Sequence, residues 1–215
     1  MSIPQAITGA PARSGEPRPD GPVAVPPADL RVVDPATDPA AAHRAAVRLI
    51  ASGVAVLTLT VGGEMHGVTV SSLTAVSRDP LLVGICLNHR SAFLGLVKSR
   101  RLFAVSVLDA TQADAARWFA DPRRPRGRAQ FDQIDWEGDR TSGAPLIGGA
   151  MAWMSCRLVT GVDAGDHELL LAEVLQGSAR EGRPLLSFQG GLHRVLTTSP
   201  TPRGPAPAGR SAPPD

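Results

Sequence analysis

The chain has 215 residues, of which 20% are charged and 4% aromatic, and a formal net charge of +2. That length suits one domain with appendages, and so small a charge makes no strong case for nucleic acid, whose binding surfaces need a concentrated basic stripe with interleaved aromatics. The two cysteines, Cys86 and Cys156, are too few for a secreted disulfide framework; their apolar, strand-like surroundings predict buried, reduced thiols, and no Cys–His spacing points to a metal.

Proline marks the boundaries. Nine of the 20 prolines fall in residues 1–39 and six in 200–215, leaving five for the 155 residues from 41 to 195. Residues 1–37 and 198–215 are therefore expected to be disordered tails around one domain at 38–197. The N-terminus lacks a charged start followed by an apolar stretch. No window approaches the roughly 20 apolar residues that span a bilayer. A cytoplasmic protein without membrane contact is expected.

Asp38-Pro39 opens an Ala-rich helix, with Asp as N-cap and Pro at the first helical position. Its apolar face runs through Ala42, Ala46, Leu49 and Ile50, and Gly53 ends it. Val54 to Thr60 reads as a strand, and Gly62-Gly63 as the turn of a hairpin over 54–74. Arg78-Asp79-Pro80 makes a second turn. Leu81 to Leu87 is a continuous apolar run, which predicts a strand covered on both faces. Ser91 caps a short helix through Ser99, and Leu102 to Leu108 is another strand. Asp109 and Gln112 have capping-box spacing and predict a helix that carries Ala116, Trp118 and Phe119 and stops at Asp121-Pro122. Trp118, Phe119 and Trp153 are expected in the core. Arg123 to Arg128 is a loop with four arginines. A long strand from Ala150 to Val162, a turn at Asp163–Asp166 and a returning strand from His167 to Leu175 follow. Leu185–Phe188 and Leu192–Val195 supply the last strands. Consecutive hairpins predict a mostly β, antiparallel barrel with short helices. No glycine fingerprint follows a strand, which argues against a dinucleotide-binding parallel sheet.

Three segments carry polar groups where chemistry needs them. Thr69, Ser71, Ser72, Thr74 and Ser77 crowd one extended segment. It reads either as a half-exposed strand with a polar face or as a row of small donors along which a polar ligand lies; Ser72 breaks the apolar alternation of the first reading. Asn88-His89-Arg90-Ser91 joins a strand to a helix N-terminus. That is a connection in its own right, and it is also a geometry that collects amide donors for a phosphate, with Arg90 able to add a charged contact. Gly165-Asp166-His167 is a turn that simply caps a strand or presents a histidine to a ligand. The arginine loop reads as solvated or as a contact for nucleotide phosphates.

The segment Gly67-Val-Thr-Val-Ser-Ser-Leu-Thr-Ala-Val-Ser-Arg-Asp-Pro80 together with Gly165-Asp166-His167 resembles the flavin reductase family. These are small FMN-binding split barrels that feed reduced flavin to two-component monooxygenases. The family segment runs approximately G-[MV]-T-x-[SN]-[SA]-[FL]-x-S-[VL]-S-x-x-P-P; here Thr74 stands near the usual Ser and Leu81 replaces the second Pro. The resemblance spans about residues 42–195. It implies an antiparallel, Greek-key split barrel, FMN or FAD with NADH or NADPH as hydride donor, a homodimer and a separate flavin-dependent monooxygenase as partner. It places Thr69, Val70, Ser71 and Ser72 on the flavin ring, Ser77 on the ribityl side, and Asn88, Arg90 and Ser91 on the ribityl phosphate. It places Asp166 and His167 where the nicotinamide docks, with His167 the catalytic candidate, and Phe131 near the cofactor entrance. His43, His66, His89 and His193 are expected to take no catalytic part. A flavin-binding module without turnover, or a split-barrel enzyme that oxidises an organic substrate on tight flavin, are the alternatives.

Overall fold

The structure is a computed structural model that describes Asp38 to Arg194; the two expected tails lie outside the described residues. The chain divides into two units, Met1–Ala42 and His43–Asp215. Helix α1 (Pro39–Val47) starts as expected, with the Ala41 amide donating to Asp38 Oδ1 at 2.8 Å. It buries no residue, however, and ends before Leu49 and Ile50, which are 50% and 69% exposed rather than on an inner face.

The main sheet of the second unit is built from β2 (Ala55–Val61), β3 (Glu64–Val70), β4 (Thr74–Arg78), β5 (Leu81–Asn88), β6 (Leu102–Val107), β9 (Ala152–Ala164) and β10 (His167–Ala179). Strand β1 (Ser52–Gly53) pairs with β11 (Leu185–Phe188), which pairs with β12 (Gly191–Arg194), while β7 (Trp136–Gly138) and β8 (Pro145–Ile147) form a small hairpin that the sequence did not announce. Helices α2 (Ala92–Arg100) and α3 (Ala113–Ala120) and a 3-10 turn (Gly127–Phe131) interrupt the strands.

The seven-stranded ladder runs β3-β2-β6-β9-β10-β5-β4, antiparallel throughout. Its two end strands, β3 and β4, are consecutive in the chain and joined by Ser71-Ser72-Leu73 alone. A flat sheet of seven strands would hold its edges roughly 29 Å apart at about 4.8 Å per strand. The link from Val70 to Thr74 reaches at most about 14 Å. The sheet therefore curls so that its two edges come within that reach at the Ser71–Leu73 bend without pairing, as in a split barrel. The segment expected as one hydroxyl-rich strand is thus two strands on opposite edges with a bend between them.

Strand β2 is buried on both faces, and its residues alternate between two cores. Ala55, Leu57 and Leu59 join Ile85, Phe103, Val105 and Leu170 inside the barrel, where α2 adds Phe93, Leu94 and Val97. Val54 and Val56 face a second cluster with Met65, Phe119, Phe131 and Leu185. Two other sequence expectations shift. Helix α3 begins at Ala113, later than Asp109 suggested: Asp109 Oδ1 accepts from the Thr111 amide at 3.0 Å and closes a turn, while Gln112 Oε1 accepts from the Asp109 amide at 3.0 Å, the back half of the capping box. Trp118 and Trp153 are only half-buried, each donating its indole N–H to a carbonyl, of Gln130 at 2.7 Å and of Ile147 at 2.8 Å. Cys86 and Cys156 are free thiols, and burial, with Asp139 nearby, pushes the Cys156 thiol up to about 12.

Candidate functional site

Antiparallel pairing of β5 with β10 sets Asn88 opposite His167. The β5–α2 turn and the β9–β10 turn therefore share one end of the sheet. The His89 amide donates to the Asp166 carbonyl at 3.0 Å, locking the two turns together. Within the first turn, Asn88 Oδ1 accepts from the Arg90 amide at 2.9 Å, and its carbonyl accepts from the Ser91 amide at 2.8 Å. Ser91 stands at the N-cap of α2 as expected, but its hydroxyl makes no capping hydrogen bond. In the second turn Gly165 takes a φ of 71°, open to glycine and costly for most residues. His167 Nδ1 lies 2.7 Å from Asp166 Oδ1. A hydrogen bond from His167, and then its charge, hold the exposed Asp166 carboxyl below the ordinary carboxylate range.

His89, set aside in the sequence, belongs to this group: its Nε2 lies 2.8 Å from Asp163 Oδ1. Its position between Asn88 and Arg90 was the available signal. Next to His167 in β10, the buried Glu168 accepts from Lys98 Nζ at 2.9 Å, so α2 is tied to β10 as well.

The hydroxyl segment approaches the same strands through Ser72. Its Oγ accepts from the Cys86 amide and donates to the Cys86 carbonyl, both at 3.0 Å, which fastens the bend to β5 two residues before Asn88. That engagement corrects the expectation that the Ser72 hydroxyl faces a ligand. Thr69 is likewise committed, donating to the Ala116 carbonyl of α3 at 2.8 Å, and the Val70 side chain is core. Of the four residues expected on the ring, Ser71 alone is exposed, while Thr69 and Ser72 are half-buried and Val70 is buried. Ser77 is half-buried on β4 opposite Leu82. Phe131 is not at an entrance: it is 2% exposed, with its ring 5.2 Å from Phe119 and 6.2 Å from Trp136. A Phe between a glycine-containing loop and a β-hairpin closes the second core, and sequence alone does not separate that role from a ligand contact.

Arg90 and Ser91 also open onto a cleft of about 550 Å³ bounded by β3, α3 and the loop after it. His66 lies in its wall, its pKa lowered by burial against the opposing charge of Glu64. A second cavity of about 550 Å³, beside Glu137, Trp153 and Gln176, contains none of the expected site residues. Its floor holds Asp139, 9% exposed, whose Oδ2 accepts from the Ser142 amide at 2.8 Å, the Ser142 hydroxyl and the Ser155 hydroxyl at 2.7 Å.

Comparison with known proteins agrees with this architecture. Residues 47–196 match the flavin reductase like domain. The chain is 43% identical over 153 residues to an NADPH-flavin oxidoreductase of Streptomyces viridifaciens, covering 71% of this chain and 79% of that one. It is 40% identical over 177 residues to an NADH-dependent FAD reductase of Streptomyces globisporus, covering 80% and 92%. Among solved structures, the NADH:FAD oxidoreductase of Streptomyces globisporus in complex with NAD and FAD fragments superposes with a TM-score of 0.70 at 36% identity, covering 78% of this chain and 98% of that one. The flavin reductase component of a bacterial two-component tryptophan halogenase superposes with a TM-score of 0.68 at 33% identity, covering 72% and 97%. The chain belongs to the flavin reductase family.

Proposed function

We propose that this chain is an NAD(P)H:flavin oxidoreductase that reduces FMN or FAD and passes the reduced flavin to a separate monooxygenase. The observation that carries the reading is the meeting of Asn88–Ser91 with Asp166–His167 across the β5–β10 pair, in a chain of this family. The residues fit a flavin. Ser91 has a hydroxyl unused by its own helix, and Arg90 is exposed beside it at the mouth of a ligand-sized cleft. Both suit the ribityl phosphate, with Asn88 holding the turn that presents them. Ser71 and the backbone of the 71–73 bend suit the polar edge of the ring, and Ser77 the ribityl side. Bound flavin supplies the chemistry, accepting a hydride from the dihydronicotinamide; the protein supplies position. With Nδ1 held by Asp166, His167 keeps Nε2 for the nicotinamide amide.

A homodimer and a cytoplasmic location are part of the same proposal. Val76 lies against Gly84, and Leu169, which pairs with both Cys86 and Val162, continues the stripe to Val162. Val76 and Val162 are about half exposed. This apolar stripe across β4, β5, β10 and β9 suits a second copy. Among the described residues no helix is long and apolar enough to cross a membrane.

Purified protein is expected to oxidise NADH or NADPH only when FMN or FAD is supplied, followed by the loss of nicotinamide absorbance. Oxidation of a small organic substrate on retained flavin, with no reduction of free flavin, would overturn the reductase reading in favour of the substrate-oxidising alternative. His167→Ala is expected to raise the KM for NAD(P)H or slow flavin reduction several-fold to about tenfold, the range for one lost hydrogen bond of about 0.5–1.5 kcal/mol. Flavin affinity is expected to change little. Stopped-flow reduction and flavin titration on the same variant decide the point: collapsed flavin affinity with a native reduction rate would mean that His167 serves the flavin and not the nicotinamide.

A further inference from the structure

The cleft beside Arg90 and Ser91 is much larger than a single phosphate requires, and its wall is chemically mixed. Arg90, Arg124 and Arg126 contribute three guanidinium groups, and Leu96, Pro122 and Pro125 an apolar side. Three arginines elsewhere are ion-paired: Arg117 with Asp114 at 2.8 Å, Arg123 with Asp121 at 3.0 Å and Arg157 with Glu173 at 2.5 Å. Among the described residues, ion pairs of that kind reach none of the three cleft arginines.

Arg124 is the most telling. It is half-buried, and its donors go to neutral acceptors: Nε to Gln130 Oε1 at 3.2 Å and the terminal nitrogens to the carbonyls of Asp121, at 2.7 Å, and Gly67. Its guanidinium lies 5.9 Å from the centre of the Phe119 ring. These contacts fix the group in place without an ion pair, in a partly desolvated setting where an anion is favoured. Burial accordingly lowers its pKa, against the pull of Asp121.

The loop that carries these arginines is anchored. Strand β3 is an edge strand, and Gln130 serves its free backbone groups: Nε2 donates to the Met65 carbonyl at 3.0 Å and Oε1 accepts from the Gly67 amide at 3.2 Å. Nε2 also donates to the Gly127 carbonyl at 3.1 Å, closing the loop on itself. The arginines thus stand on a built wall.

We propose that this cleft is a second nucleotide subsite that takes the phosphorylated adenosine end of FAD, so that the loop from Asp121 to Gln130 sets a preference for FAD over FMN. The inference rests on the reading above that Arg90 and Ser91 receive the flavin phosphate. In FAD the next phosphate and the adenosine are covalently attached to that group and continue into the cleft, where Arg124 and Arg126 meet the diphosphate and the Leu96–Pro122–Pro125 side meets the base.

The test is equilibrium titration of the full-length protein with FAD and with FMN, following flavin fluorescence, beside steady-state KM values for NADH and NADPH. Arg126→Ala is expected to weaken FAD binding about tenfold and FMN binding less than twofold, with Arg126→Lys recovering most of the difference. Arg126 is exposed, so neither change disturbs the core. Equal losses for FAD and FMN would overturn the proposal and reduce the cleft to the shared phosphate seat. An increase in KM for NADPH with FAD affinity intact would overturn it in favour of a nicotinamide 2′-phosphate site. Unchanged affinities for both flavins would also overturn it. NADH oxidation supported by FMN in the variants keeps the reductase reading standing in each of these cases, and its absence in the native protein would instead sink that reading.

Discussion

Phe131→Ala is expected to destabilise the domain by about 3–5 kcal/mol, the range for deleting a buried aromatic side chain. The ring lies in the second core between Phe119 and Trp136, and α3 and the small β7–β8 hairpin pack around that core. Its removal leaves a cavity that the fixed strands β2 and β3 cannot fill. For a domain of this size the loss corresponds to a fall in melting temperature of roughly 6–20 °C, measured by thermal unfolding. The folded variant should keep its flavin affinity. A melting temperature within about 3 °C of the native value, with flavin affinity reduced tenfold, would restore Phe131 to the cofactor entrance.

Asp139→Ala should be nearly as severe, by a different route. It strands the Ser142 amide and the Ser142 and Ser155 hydroxyls, which converge on one carboxylate oxygen. Each buried donor without a partner costs about 1–3 kcal/mol, so a loss of about 3 kcal/mol or more is expected. Burial by itself would raise the Asp139 carboxyl pKa; the hydrogen bonds from Ser142 and Ser155 outweigh it and hold the value below the ordinary range. A carboxyl lowered in the folded state stabilises fully above its unfolded pKa of about 3.9, and that stabilisation fades as the pH falls toward the folded value. The melting-temperature gap between native protein and Asp139→Asn should therefore stay constant from about pH 8 to pH 5 and narrow below about pH 4. A gap that widens in acid would show that the carboxyl is raised and that burial dominates.

Much of the fold was legible because its signals are local. Gly62-Gly63 marked the β2–β3 turn, Asp38-Pro39 the start of α1, and Gly165-Asp166 the tight turn of the longest hairpin. What was not legible depends on partners distant in the chain. The hydroxyls of Thr69 and Ser72 look like ligand groups in sequence, yet one is taken by the Ala116 carbonyl and the other by the backbone of Cys86. A lone hydroxyl does not announce which acceptor it will meet. The same limit hid His89, whose partner Asp163 arrives from another strand, and Gln130, whose partners are backbone groups on the edge of β3. The site motifs could be named in sequence, but their neighbourhood came from the register of β5 against β10.

That register has a kinetic and evolutionary side. Asn88 and His167 stand about eighty residues apart along the chain and become neighbours only through a long-range strand pair. Such pairs carry a loop-closure penalty that local helices and hairpins escape. The two halves of the site therefore have no shared existence in a partly ordered chain. A nascent chain that has not yet reached β10 holds the Asn88–Ser91 turn without His167. The proposed site and the sheet that builds it are expected to form together, so mutations that loosen the β5–β10 seam should lower activity and stability together.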